Sequence, residues 1–106
     1  MDYYLLADMT VQIGYELAIA GAETYRVEET MRRVIEAYGT EGQAFAIQNC
    51  VAVSFVAQNT KPLTIMKRVG YHGNDLERIE KLNALSRRIC AEVPELAGIE
   101  RWTALA

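Results

Sequence analysis

The sequence predicts an α+β domain: two N-terminal helices, a three-stranded antiparallel meander, then one long and one short C-terminal helix. Three observations predict it. Apolar residues recur at helical spacing over residues 3–20 and 23–38. From 43 to 69, short runs rich in Val, Ile, Phe and Ala are separated by turn residues. Helical spacing then returns after residue 74. At 106 residues, 51% of them apolar, the chain is long enough to bury one core and too short for two. We therefore expect a single soluble domain over residues 1–106.

On the first helix Leu6, Met9, Ile13, Leu17 and Ala20 share a face, at about 100° per residue. Asp8, Gln12 and Glu16 form a narrow polar stripe nearly opposite. Leu5, Val11, Tyr15 and Ile19 lie outside the main apolar face, so the helix needs cover on a second side. Another helix, a second subunit or a further part of the protein could supply it. Gly21-Ala22 then breaks the path.

The second helix carries Val27, Met31, Val34, Ile35 and Tyr38 on its core side, and Gly39 suits its end. Glu28 with Arg32 and Glu29 with Arg33 stand at i,i+4 spacing, each pair contributing a few tenths of a kcal/mol. The strands fall at about 43–48, 51–58 and 63–69. Asn49 turns the first into the second, and residues 59–62 connect the second to the third. Val51, Val53 and Phe55 alternate with Ala52, Ser54 and Val56, which predicts a central strand partly covered on both faces. Asn74 is the expected N-cap of the long helix, with Glu77 three residues on. Leu76, Ile79, Leu82, Ile89 and Cys90 form its expected inner face, and Pro94 follows its end. Residues 95–106 are expected to form one short helix around Trp102.

Composition excludes several functions. A net charge of −3 argues against nucleic-acid binding. Cys50 and Cys90 form neither a CxxC pair nor a zinc spacing, and read as two buried thiols in a reducing compartment. His72 is the sole histidine and cannot build a metal site alone. Met1-Asp2-Tyr3-Tyr4 is not a basic n-region, so no secretory signal is expected, and Asp8, Gln12 and Glu16 interrupt the most apolar stretch, so no membrane span is expected there. No GxSxG, HExxH, GxxxxGK or GxGxxG pattern occurs. No catalytic residue, metal or cofactor is assigned.

Three polar sets remain. Glu23, Arg26 and Thr30 lie along one edge of the second helix's apolar face, beside Glu29. An Arg there can hold a carboxylate through its planar fork. The plainer reading is a Glu23–Arg26 pair tying helix to sheet. Asn83 and Ser86 interrupt the apolar stripe of the long helix, as a structural hydrogen bond or as one wall of a polar pocket against the second helix. Lys67, Arg68, Arg87 and Arg88 are basic; they complement a helix C-terminus or meet an anionic surface or ligand.

Residues 17–33 (LAIAGAETYRVEETMRR), the Asn49–Phe55 strand followed by Pro62-Leu63-Thr64, and 74–88 (NDLERIEKLNALSRR) together resemble the N-terminal cytosolic domain of the threonine/serine exporter family. The resemblance covers about residues 6–91. It implies a bacterial inner-membrane system with this domain on the cytoplasmic face, in a larger protein or beside a separate membrane subunit. Threonine, serine or a dicarboxylate becomes the expected ligand. The family's Gly-Ala-Glu…Arg…Glu-Thr pattern falls on Gly21, Ala22, Glu23, Arg26, Glu29 and Thr30, and its later Asn and Ser on Asn83 and Ser86.

Three functions follow as expectations. The first is an accessory or regulatory domain that binds a ligand and couples it to the membrane part. The second is a hydrolase-like domain acting on an amide or peptide, with Ser86 or Cys50 as nucleophile. The third is an oligomerisation module built on the two-sided first helix, forming a homo-oligomer.

Overall fold

Asp2 opens the first helix by accepting the backbone N–H of Leu5 on its carboxylate at 3.0 Å. That satisfies one of the donors a helix start leaves without a partner. The computed structural model describes residues 1–56 and 61–98. In it α1 (Tyr3–Ala20), α2 (Thr24–Ala37), β1 (Gln43–Ile47), β2 (Cys50–Phe55), β3 (Leu63–Arg68) and α3 (Leu76–Glu92) follow in order. This is the α+β arrangement the sequence predicts. The expected short helix around Trp102 and the tip of the β2–β3 connection lie outside the described residues.

Gly21 ends α1 in the left-handed conformation, φ 100°, and its N–H bonds the Ala18 carbonyl. A side chain there would run into the Gly73 carbonyl. That close approach exists because residues 73–75 are tied to the end of α1: Gly73 N–H bonds Ile19 O at 2.7 Å and Asp75 N–H bonds Ala20 O at 2.8 Å. The last helix therefore begins where the first one ends. Its N-cap is Asp75, whose carboxylate accepts the Arg78 N–H at 3.0 Å, rather than the expected Asn74. The backbone tie at Asp75 N fixes which residue sits at the cap.

The sheet has the order β1-β2-β3, antiparallel throughout. Gln48-Asn49 makes a two-residue turn between β1 and β2. Val51, Val53 and Phe55 are buried against the helices, with the Tyr3 and Phe55 rings 5.4 Å apart. Cys50, Ala52 and Ser54 on the other face are half-buried, in line with the central, partly covered strand expected. Phe45, Ala52 and Met66 share one row across that face, with Phe45 and Met66 at least half exposed.

α1 is the hub of the fold. It touches α2, β2, β3 and α3, and α3 also packs on α2. The second cover that α1's apolar flanks require is thus α3, within the same chain. The polar stripe of α1 has partners as well. Lys67 donates to Gln12 at 3.0 Å, Gln12 to Glu16 at 2.9 Å, and Arg78 reaches Glu16 at 3.5 Å. Gly14 lets α2 come close, since a Cβ there would strike the Met31 sulfur.

Two side-chain expectations change. Glu29 pairs with Arg33 at 2.8 Å as expected, but Arg32 pairs with Glu36 at 2.6 Å. Glu28 turns to the sheet and accepts the Ala46 N–H at 3.1 Å, occupying a donor on the edge strand β1. Leu76 is 71% exposed instead of buried. The buried arc of α3 is Leu82, Leu85, Ser86 and Ile89. At about 100° per residue Leu76 falls well outside that arc, and Asn83 and Cys90 lie on its flank.

Candidate functional site

Two stripes of side chains face each other across a groove of ≈ 730 Å³ between α2 and α3. On α2, Arg26, Glu29, Thr30 and Arg33 recur at steps of three or four, followed by Glu36 and Ala37 one turn further. On α3, Asn83, Ser86, Arg87 and Cys90 repeat the same spacing. The two helices run in the same direction with a fixed offset. The Tyr38 hydroxyl donates to the Pro94 carbonyl at 2.6 Å, and the Arg33 charge acts on the Cys90 thiol. Arg26 and Asn83 thus lie toward one end of the groove, and Glu36 and Cys90 toward the other.

Five of the six residues singled out in the sequence line this groove: Arg26, Glu29, Thr30, Asn83 and Ser86. Glu23 does not. It occupies the N-cap position of α2, exposed, and makes no capping bond. The plain Glu23–Arg26 pair is also missing among the described residues. Arg26 instead donates from Nε to the Tyr25 hydroxyl at 3.2 Å, its guanidinium 5.6 Å from that ring's centre. This hydrogen bond is the main cause raising the Arg26 pKa above its ordinary value, with the charges of Glu23 and Glu29 contributing less. Arg26 keeps its positive charge under all physiological conditions.

Ser86 is buried, and its hydroxyl donates to the Asn83 carbonyl one turn back at 2.8 Å. Its oxygen lone pairs remain available. The Asn83 side-chain amide is half-buried and makes no hydrogen bond among the described residues. It can both donate and accept. Cys90 lies one turn further along the groove and is half-buried. Burial pushes its thiol pKa up, and Arg33 lowers it less, so the thiol is protonated at neutral pH and a poor nucleophile.

Sequence reasoning missed that Arg33, Glu36 and Cys90 belong to this groove. The signal was available: they continue the stripes begun by Arg26 and Asn83 at helical spacing. The hydrolase arrangement does not assemble among the described residues. Ser86 bonds only its own helix, His72 lines a separate small hollow with Thr24 and Val51, and Cys50 stands on β2, on the open sheet face. The basic residues also disperse. Lys67 lies over the Tyr15 ring at 4.2 Å, Arg88 pairs with Glu92 at 3.2 Å, Arg68 is exposed on β3, and Arg87 alone joins the groove. Among the described residues no three His, Cys, Asp or Glu side chains are grouped to hold a metal ion. No described helix is long and apolar enough to cross a membrane.

The groove can therefore offer two guanidinium forks, an amide and a hydroxyl to a small polar molecule, with two carboxylates on the α2 wall. The family model described as "Putative threonine/serine exporter" matches residues 8–102. Neither the curated proteins nor the solved structures give a match.

Proposed function

The chain belongs to the threonine/serine exporter family, and from that membership we propose that it is the cytosolic accessory domain of a bacterial inner-membrane exporter. In this reading it binds a small carboxylate-bearing ligand (threonine, serine or a dicarboxylate) in the α2–α3 groove. It passes that binding to a membrane part, in the same protein or a separate subunit. The observation that carries the reading is the convergence of Arg26, Thr30, Asn83 and Ser86, from two helices, on one groove. An Arg fork fits a carboxylate in a bidentate manner, and Asn and Ser fix orientation by hydrogen bonds. The groove walls are separate helices, so a ligand that bridges them changes the relative energy of two helix placements. Coupling requires that difference in affinity between two states.

Calorimetric titration with threonine, serine and succinate tests the reading. Arg26→Ala is expected to weaken the bound member of this set at least tenfold, the order of one charge-assisted hydrogen-bonded contact. Equal binding by the variant and the parent chain overturns the groove as the site.

A further inference from the structure

α3 ends on a backbone conformation that its sequence disfavours. Val93 has φ 44° and ψ 61°, in the left-handed region. Among the described residues it is the one residue other than glycine with positive φ. For a β-branched residue that is an outlier, because the left-handed turn puts Cβ against the following carbonyl oxygen. The next residue is Pro94, whose ring presses the residue before it toward the extended region, φ about −120°. The Val93 side chain and the Pro94 ring thus both favour the extended region, and the chain adopts the other. Burial does not offset this, since Val93 is 41% exposed. Holding an L-residue there costs about 5–30-fold in an equilibrium constant.

Two hydrogen bonds hold it. The Val93 N–H donates to the Ile89 carbonyl at 2.8 Å. The Tyr38 hydroxyl donates to the Pro94 carbonyl at 2.6 Å. The second bond is not local. Tyr38 is the C-cap of α2, so the bond ties the end of α2 to the chain leaving α3. Leu96 then packs, partly buried, against the core. Ala37, Cys90 and Ala91, close in sequence to the tied residues, line the same end of the groove. If Tyr38 lets go, turning Val93 to the extended region breaks the Ile89 bond and redirects the chain from Pro94 onward. The ends of α2 and α3 are then free to part.

We infer that the end of α3 is a strained latch with two positions. In one, Tyr38 holds Val93 left-handed and keeps the ends of α2 and α3 together; in the other, Val93 is extended and the chain after Pro94 leaves in a new direction. The link of this latch to a ligand rests on the reading of the groove as a binding site. A ligand that touches both walls binds the latched placement better and so keeps the latch closed. By reciprocity, opening the latch weakens the ligand. The domain thereby converts occupancy of the groove into the direction in which the chain leaves α3.

The test is NMR on the whole chain. The HN–Hα coupling and the Cα and Cβ shifts of residue 93 report its backbone region, and exchange of its amide reports the Ile89 bond. In the parent chain residue 93 is expected to be left-handed, and to exchange through a local opening that urea does not accelerate. The Val53 amide, in the central strand, should instead wait for global unfolding. Tyr38→Phe should shift residue 93 toward the extended region and lower its protection about two- to tenfold, the effect of one net hydrogen bond. Val93→Asn should raise protection about threefold or more, because Asn tolerates the left-handed region. Added to Tyr38→Phe, it should restore the left-handed conformation, a rescue that a merely structural Tyr38 does not predict. No gain from Val93→Asn means that no strain is stored and overturns the latch. One common urea dependence for residue 93 and Val53 also overturns it. Calorimetry tests the coupling with threonine, serine and succinate. Any of these that binds the parent chain should bind Tyr38→Phe more weakly, by the factor by which the left-handed fraction falls. Equal binding by the two overturns the coupling. If none of the three binds the parent chain, the groove reading fails, and the latch is judged on the exchange results alone.

Discussion

Tyr38 joins a structural role to a titration. Its hydroxyl donates to the Pro94 carbonyl, which only the protonated phenol can do. Burial is the main cause raising its pKa above the ordinary 10.0, and Cys90 nearby is raised from 9.0, also chiefly by burial. The folded state therefore holds both protons more tightly than the unfolded chain. Stability from these groups is complete below their ordinary values and is lost as pH rises through the folded ones. Urea denaturation at rising alkaline pH should show unfolding free energy falling from about pH 9 upward. Tyr38→Phe should flatten the upper part of that fall and cost about 0.5–1.5 kcal/mol at neutral pH, the usual net value of one hydrogen bond. Arg26 and Ser86 were legible in the sequence because each interrupts or borders an apolar helical stripe. The role of Glu28 was not. Its partner is a backbone N–H on a strand 18 residues away, and helical spacing offered Arg32 as a nearer one.

At the scale of elements, the joints set the geometry of the groove. Gly21 places the turn after α1, and the same residues pin the start of α3. Gly21→Ala meets two costs, a left-handed backbone and a clash with the Gly73 carbonyl. The first alone is about 1–2 kcal/mol, and the second adds to it because backbone cannot swing aside as a side chain can. Thermal unfolding should show a loss of at least that size, and displacement of α3 should weaken ligand binding in the groove as well. Helices α1 and α2 were legible nearly to the residue, since period and Gly breaks agree. The start of α3 was not, because Asn74 and Asp75 are both good caps and a tertiary hydrogen bond chose between them. The buried arc of α3 was misplaced for a related reason: Leu76 looks like core by type, and only the docking of α3 on α1 and α2 shows which arc is inward.

The whole molecule is organised around α1, which α3 seals. Ile89 is fully buried in the single core that joins α1, α2, β2 and α3. Ile89→Ala is expected to cost about 2–5 kcal/mol, seen as an earlier urea midpoint with one cooperative transition for helix and sheet signals alike. Separate transitions for the two signals would mean that α3 is a detachable layer.

The order of the elements has one more consequence, in time. α1 leaves the ribosome before α3, which completes its cover. Residues 21–75 must be made in between, roughly 3–11 s at ordinary rates of synthesis. During that interval an apolar helix waits with one flank uncovered. The nascent chain thus offers chaperones a longer-lived binding segment at α1 than the finished domain displays.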